Sequence, residues 1–233
     1  MNSCSIKKPC FDGIDAILID LDQTLFNTRE AKFANMRQIA EREGAGWSRE
    51  LQAVFSRRQK ELFELWLEEK LTPQEFYYAR GAAFCEVFSI PKTKEEGRAF
   101  IDASIRNSME LLPGVKEALA SLSARNIPLY LASNGTHENQ TGRLRQAGIF
   151  EYFTDCILPD HMGVPKPNEK FYRHALKVTG STPERTLMIG DAVFDDIIGA
   201  KNVGIQTCWI MGSPQKKIPP EADYYVLGPA DLI

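Results

Sequence analysis

No stretch of this sequence has the roughly 18 consecutive apolar residues that a membrane-spanning helix needs. The opening residues, MNSCSIKKPCFDG, carry two lysines but no apolar run of signal-peptide length behind them. A cytoplasmic protein with no membrane partner is expected. Charge of one sign is also missing: 28 Lys and Arg face 31 Asp and Glu, a formal net charge of -3. A nucleic-acid binder usually carries a basic patch, so no nucleic-acid partner is expected, and the Lys216-Lys217 pair is too short to change that. The five cysteines (Cys4, Cys10, Cys85, Cys156, Cys208) are odd in number and scattered, without a C-x-x-C pair. That argues against a disulfide framework and a zinc site, and reduced thiols are expected. His137, His161 and His174 have no partners at metal-ligand spacing and receive no role.

What is present is ordinary globular material: 43% hydrophobic and 25% charged residues over 233 positions, enough for two modules. Ala16, Ile17, Leu18 and Ile19 are apolar without alternation, as in a central parallel strand covered by helices on both faces. PLYLAS (128 to 133), DCIL (155 to 158), TLMIG (186 to 190) and GIQTCWI (204 to 210) resemble it, with YYVL (224 to 227) as an edge strand. Helical patterns start at Gly114, His137, Asn168 and Asp195. Alternating strand and helix predicts an α/β fold with a doubly wound parallel sheet.

One interval breaks the rhythm. About 85 residues separate the first strand from the helix expected before PLYLAS, where a strand-to-helix connection normally takes a few. The interval reads as an inserted all-helical cap, placed at residues 27–111, with a core of residues 1–26 and 112–233 around it. Asn27 with Glu30, Thr72 with Glu75 and Thr93 with Glu96 have capping-box spacing. Leu51, Val54, Phe55, Leu62, Leu65 and Trp66 recur at helical spacing. LLPGV (111 to 115) is the return hinge. Phe63, Trp66, Tyr77 and Tyr78 read first as cap core, and second as a platform on which a base could stack.

Asp20 and Asp22 stand where the first apolar run ends, and the carboxyl ends of strands are where open α/β sheets place their ligands. Turn preference alone would account for one aspartate. Thr24 follows at D-x-D-x-T spacing. Ser133, Asn134 and Gly135 end the second strand, Lys166 sits in VPKPN before a helix, and GDAVFDD (190 to 196) ends the fourth strand. In that order, these residues resemble the four motifs of the haloacid dehalogenase-like superfamily of hydrolases. The resemblance covers about residues 14 to 26 and 111 to 228, and is one of type only for the cap.

The resemblance implies a sheet ordered third, second, first, fourth, fifth strand, with a crevice between strands one and four. Asp20, Asp22, Asp191 and one of Asp195 or Asp196 would converge there. Two carboxylates 4 Å apart repel by roughly 4 kcal/mol at an effective dielectric of 20, so the cluster calls for a cation. Few oxygen ligands suit Mg2+ bound together with a substrate phosphate. The resemblance further implies Asp20 as nucleophile, forming an aspartyl-phosphate, and Asp22 as the acid and base that serves both half-reactions, a role needing a raised pKa. Asp20 and Asp191, with the Asp22 carbonyl, would ligate the metal. Asp196, with Asp195 as the alternative, would support it from behind, while Thr24, Ser133, Asn134 and Lys166 hold the phosphoryl group.

The expected activity is that of a Mg2+-dependent phosphomonoester hydrolase acting on a small phosphorylated substrate. An acidic residue at Asp22 argues against a dehalogenase. A phosphomutase-type phosphoryl transferase would share these core residues, and a non-enzymatic scaffold is the different-class rival. The core segments look most like the branch holding bacterial pyrimidine 5'-nucleotidases and small-metabolite phosphatases. A nucleoside 5'-monophosphate is therefore the specific expectation, with a sugar phosphate or phosphoglycolate as the alternative.

Overall fold

The computed structural model describes residues 6–233. The chain divides into two compact units, one of residues up to Asn27 with Met109–Ile233, the other Thr28–Ser108. The larger unit is built on six parallel strands: β1 Ala16–Ile19, β2 Leu129–Ala132, β3 Phe153–Ile157, β4 Thr186–Gly190, β5 Gln206–Ile210 and β6 Tyr224–Val226. Their order is β3-β2-β1-β4-β5-β6, so YYVL does form the edge strand, in parallel with β5.

Strand pleating explains why β1 shows no polar alternation. Ile17 and Ile19 join one apolar cluster with Leu129, Leu131, Leu187 and Ile189. That cluster packs under α5 (Val115–Ser123) and α6 (His137–Gln146), through Leu119, Leu122 and Leu144. Ala16 and Leu18 point the other way, with Tyr130 and Met188. There they meet Phe171, Tyr172 and Ala175 of α7 (Glu169–Thr179) and Ala200 of α8 (Gly199–Asn202). Both faces of β1 are covered, so both residue sets must be apolar. The chain winds outward through β2 and β3, then returns to the other side of β1 as β4. The ends of β1, β2 and β4 therefore flank the point where winding reverses.

Local signals set most helix ends. Asn168 caps α7 by accepting from Lys170 N at 2.9 Å, and Gly180 closes that helix at φ 66°. Helix α6 starts at His137 as expected, and Thr136 before it caps the helix by accepting from Asn139 N. The stretch from Asp195 is not a simple α-helix: Val193–Ile198 winds as a π-helix before α8.

The smaller unit is the helical cap, with α1 Arg29–Arg42, α2 Arg49–Leu67, α3 Pro73–Val87 and α4 Lys94–Arg106. The Thr72–Glu75 and Thr93–Glu96 capping boxes both form, at the starts of α3 and α4. The Asn27–Glu30 box does not. Thr28 occupies the cap position of α1, and Asn27 instead bonds Glu110 through its backbone N–H at 2.8 Å and its Nδ2 at 2.9 Å. It thus belongs to the paired linkers of the larger unit, beside the Phe26–Leu111 bridge. Helices α3 and α4 touch at two glycines, since a Cβ on Gly97 would fall 2.3 Å from the Gly81 carbonyl oxygen.

Met36, Ile39, Phe55, Phe84, Phe88 and Ile101 form the main cap core. Trp66 packs with Phe76 and Tyr77 in a second cluster, while Val54 and Leu65 stay exposed. Among the described residues no helix is long and apolar enough to cross a membrane. Cys10, Cys85, Cys156 and Cys208 are free thiols, and Cys4 lies outside the described residues.

Candidate active site

Asp20 follows the last residue of β1, its backbone N–H bonded to the Ile189 carbonyl at 2.9 Å, so the β1–β4 ladder aims its side chain. Lys166 reaches the same point from the loop before α7. Its Nζ donates to Asp20 Oδ1 at 2.8 Å, to Asp196 Oδ1 at 2.5 Å and to the Ala132 carbonyl at 2.7 Å. An ammonium has three N–H donors, and all three are used. Asp20, Asp191 and Asp196 each bring a carboxylate oxygen to this centre, all within 4.8 Å of one another.

The supports of these groups come from several strand ends. Asn134 grips the backbone of Lys166 with both ends of its amide, Nδ2 to the carbonyl at 3.0 Å and Oδ1 to the N–H at 2.7 Å. The Asn134 side chain therefore holds the lysine in place. Beyond β4, Asp196 Oδ2 accepts from the Ala192 N–H at 3.0 Å. Tyr172 O–H donates to the Asp195 carbonyl at 2.5 Å, and Trp209 Nε1 donates to the Asp191 carbonyl at 2.9 Å. Tyr172 of α7 thus pins the π-helix at Asp195, and Trp209 of β5 holds Asp191 just before it, in keeping with the frequent use of such turns at functional sites.

Burial pushes the Asp20 carboxyl up to about 7, against the lowering pull of Lys166 and with help from Asp196 and Asp22. Burial likewise raises Asp196 and Asp195 to about 6 each. Burial by itself would lower Lys166, but Asp196 and Asp20 outweigh it and hold the ammonium above its usual value. Proton retention by the acids thus comes from burial, against the pull of the ammonium, and charge retention by the lysine comes from the carboxylates beside it, against burial.

Asp22 stands apart from the three-aspartate group: its side chain is 45% exposed and Oδ1 accepts from Arg143 Nη1 at 2.8 Å. Asp195 is also outside the group, which contains Asp196. Ser133 is buried at the end of β2 and accepts from Gln140 Nε2 at 2.8 Å. Among the described residues the buried Thr24 hydroxyl has no hydrogen-bond partner, an orphan that an incoming polar group would satisfy. Gln140 and Arg143 were not marked by their sequence context. Polar residues in a helix starting after SNG look solvated, and their three-residue spacing is the only hint that they share a face.

The donor set suits a hard divalent cation. Oxygen-only ligands, with more carboxylates than ammonium groups, are what Mg2+ sites use, and any of Asp20, Asp191 and Asp196 can offer an oxygen.

Residues 14–204 match the model of a known enzyme family, described as haloacid dehalogenase-like hydrolase. The chain belongs to that family. It is 30% identical over 197 residues to the pyrimidine 5'-nucleotidase PynA of Streptococcus pneumoniae, covering 83% of this chain and 82% of that protein. It is 29% identical to the glyceraldehyde 3-phosphate phosphatase of Pyrococcus abyssi, over 84% of this chain and 81% of that protein. Among solved structures, the magnesium-bound form of YfnB from Bacillus subtilis superposes with a TM-score of 0.80 at 24% identity, covering 92% of this chain and 95% of that one. The protein is thus a haloacid dehalogenase-like hydrolase of the phosphatase kind, with the helical cap such enzymes carry.

Proposed function

We propose that the protein is a Mg2+-dependent phosphomonoesterase that hydrolyses a small phosphorylated metabolite through an aspartyl-phosphate on Asp20. The observation that carries this reading is Lys166 Nζ set between Asp20 and Asp196, with Asp191 completing a carboxylate group at the strand ends. Asp20 and Asp191 would hold the metal, with the Asp22 carbonyl, and Asp196 would steady it from beside Lys166. When bound, the cation supplies positive charge that keeps Asp20 ionised and neutralises phosphoryl oxygens.

The chain's own residues do the rest. The Asp20 carboxylate attacks phosphorus, and the P–O bond to the leaving group breaks. Asp22 gives that alkoxide its proton. In the second half, Asp22 takes a proton from water, the water oxygen attacks phosphorus, and Asp20 is released with inorganic phosphate. Ser133 and Thr24 would meet the phosphoryl oxygens, whose charge grows in the transition state, while Lys166 stays bonded to its carboxylates and adds positive potential beside them.

For the leaving group the reading is a nucleoside 5'-monophosphate, supported by the similarity to PynA along most of both chains. Among the cap aromatics, Trp66 and Tyr77 lend it no support, being 0% and 6% exposed and packed against Phe76, while Phe63 and Tyr78 are half-buried. A small sugar phosphate is the second reading, favoured by the glyceraldehyde 3-phosphate phosphatase similarity. Measuring kcat/KM with Mg2+ across nucleoside monophosphates, triose and hexose phosphates and phosphoglycolate tests both. A tenfold preference for a sugar phosphate or phosphoglycolate over every nucleotide, about 1.4 kcal/mol, would sink the nucleotidase reading. Formation of an isomeric phosphate without inorganic phosphate would make the enzyme a mutase.

A further inference from the structure

Gln140 and Arg143 lie three residues apart on α6, each 1% exposed, and the chemistry above gives them no task. We propose that they form a relay of hydrogen-bond polarity that makes the Ser133 hydroxyl a dedicated donor to a phosphoryl oxygen. The proposal rests on the phosphatase reading.

The relay starts at Arg143, whose guanidinium carries donors only. Its Nη1 donates to Gln140 Oε1 at 3.1 Å. A glutamine amide has nearly the same shape either way round, so its chemical surroundings decide which end faces where. Facing a donor-only group, Gln140 must turn its oxygen to Arg143 and its NH2 away. That NH2 donates to Ser133 Oγ at 2.8 Å, and the Gly135 N–H donates to the same oxygen at 3.3 Å. A hydroxyl has two lone pairs and one proton. With both lone pairs taken, the proton is what Ser133 can offer a ligand, and a phosphoryl oxygen is an acceptor.

Two further contacts keep the origin of the relay in place. Arg143 Nη1 also donates to Asp22 Oδ1 at 2.8 Å, and its guanidinium lies over the buried Phe26 ring, 4.6 Å from the centroid. One guanidinium therefore orients both the group proposed to carry protons and, through Gln140, the group proposed to bind phosphate. Gly135 is part of the device. A Cβ there would fall 2.2 Å from Gln140 Nε2, so a larger residue would push the amide off Ser133.

The test is a double-mutant cycle read by calorimetric binding of inorganic phosphate in Mg2+ buffer. Gln140→Glu keeps the shape but offers only acceptors, so it draws the Ser133 proton towards itself. It is made in the native background and with Ser133→Ala. The charge it adds acts on phosphate in both backgrounds and cancels in the ratio of the two losses. The expected ratio is about tenfold, the native background losing more. A ratio below threefold overturns the relay. Gln140→Met, which removes donor and acceptor together without adding charge, covers the case in which the carboxylate variant does not fold. It should give a ratio of about three, and equal losses overturn the proposal. A native enzyme that binds no phosphate and hydrolyses no phosphomonoester overturns relay and phosphatase reading together, whereas additive losses in an active enzyme remove the relay alone.

Discussion

A Cβ placed on Gly190, the last residue of β4, would lie 2.1 Å from Asp196 Oδ2. The strand ends in glycine because the carboxylate six residues later occupies the space where a side chain would be. Gly190→Ala should cost about 1–3 kcal/mol of stability, the usual range for forcing an extra carbon into a packed site. It should also weaken Mg2+ binding at least tenfold by displacing Asp196. Thermal melts and calorimetric Mg2+ titration check the two effects, and unchanged metal affinity would separate Asp196 from the metal.

Lys166→Met should destabilise the metal-free protein by about 3–5 kcal/mol, the range for leaving buried charges without their partner. Asp20 and Asp196 would then face one another with no cation between them. Saturating Mg2+ supplies positive charge at the same place and should restore part of the loss. Denaturant unfolding with and without Mg2+ reads both. An equal loss in the two conditions would contradict a metal at this carboxylate group.

The raised carboxyls set a direction for pH. Asp20 near 7 and Asp195 and Asp196 near 6 stand above the ordinary 3.8. Between about pH 4 and 7 the folded metal-free protein therefore binds more protons than the unfolded chain. Stability from these three groups falls as pH rises through that window. Mg2+ competes with the same protons, so its affinity should climb from pH 5.5 to about 8 and then level, with protons released on binding. Calorimetry in buffers of different ionisation enthalpy measures the release. A flat affinity over this range would oppose ligation by Asp20.

Asp20→Asn should abolish turnover of every substrate while leaving the melting transition in place. Asp22→Asn should still bind phosphate, and its loss in kcat should be smaller for p-nitrophenyl phosphate than for an alkyl phosphate, because a good leaving group needs less protonation. Equal losses for both substrates would remove the acid role from Asp22.

The elements that follow from local rules were legible before the fold was known. Ala16 to Ile19 reads as a doubly covered strand because nothing polar interrupts it, and Thr72–Glu75 and Thr93–Glu96 read as helix starts because a capping box is closed within four residues. The same rule failed at Asn27, where Glu110, 83 positions away, competes for its side chain and backbone N–H. Asp195 and Asp196 could not be told apart by position in the sequence. A π-helical turn, pinned by Tyr172, brings Asp196 to Lys166 and leaves Asp195 outside the group.

By itself the sequence determined the alternation of strands and helices, the interruption after β1, and the polar residues that end β1, β2 and β4, because hydrophobic period and turn chemistry act over a few residues. Tertiary structure alone decided which of those polar groups meet. Lys166 lies 146 positions from Asp20, and Arg143 lies 121 from Asp22. Asn134 became the holder of Lys166. Partners so distant are chosen by sheet order and helix packing, which place groups in space regardless of their separation along the chain.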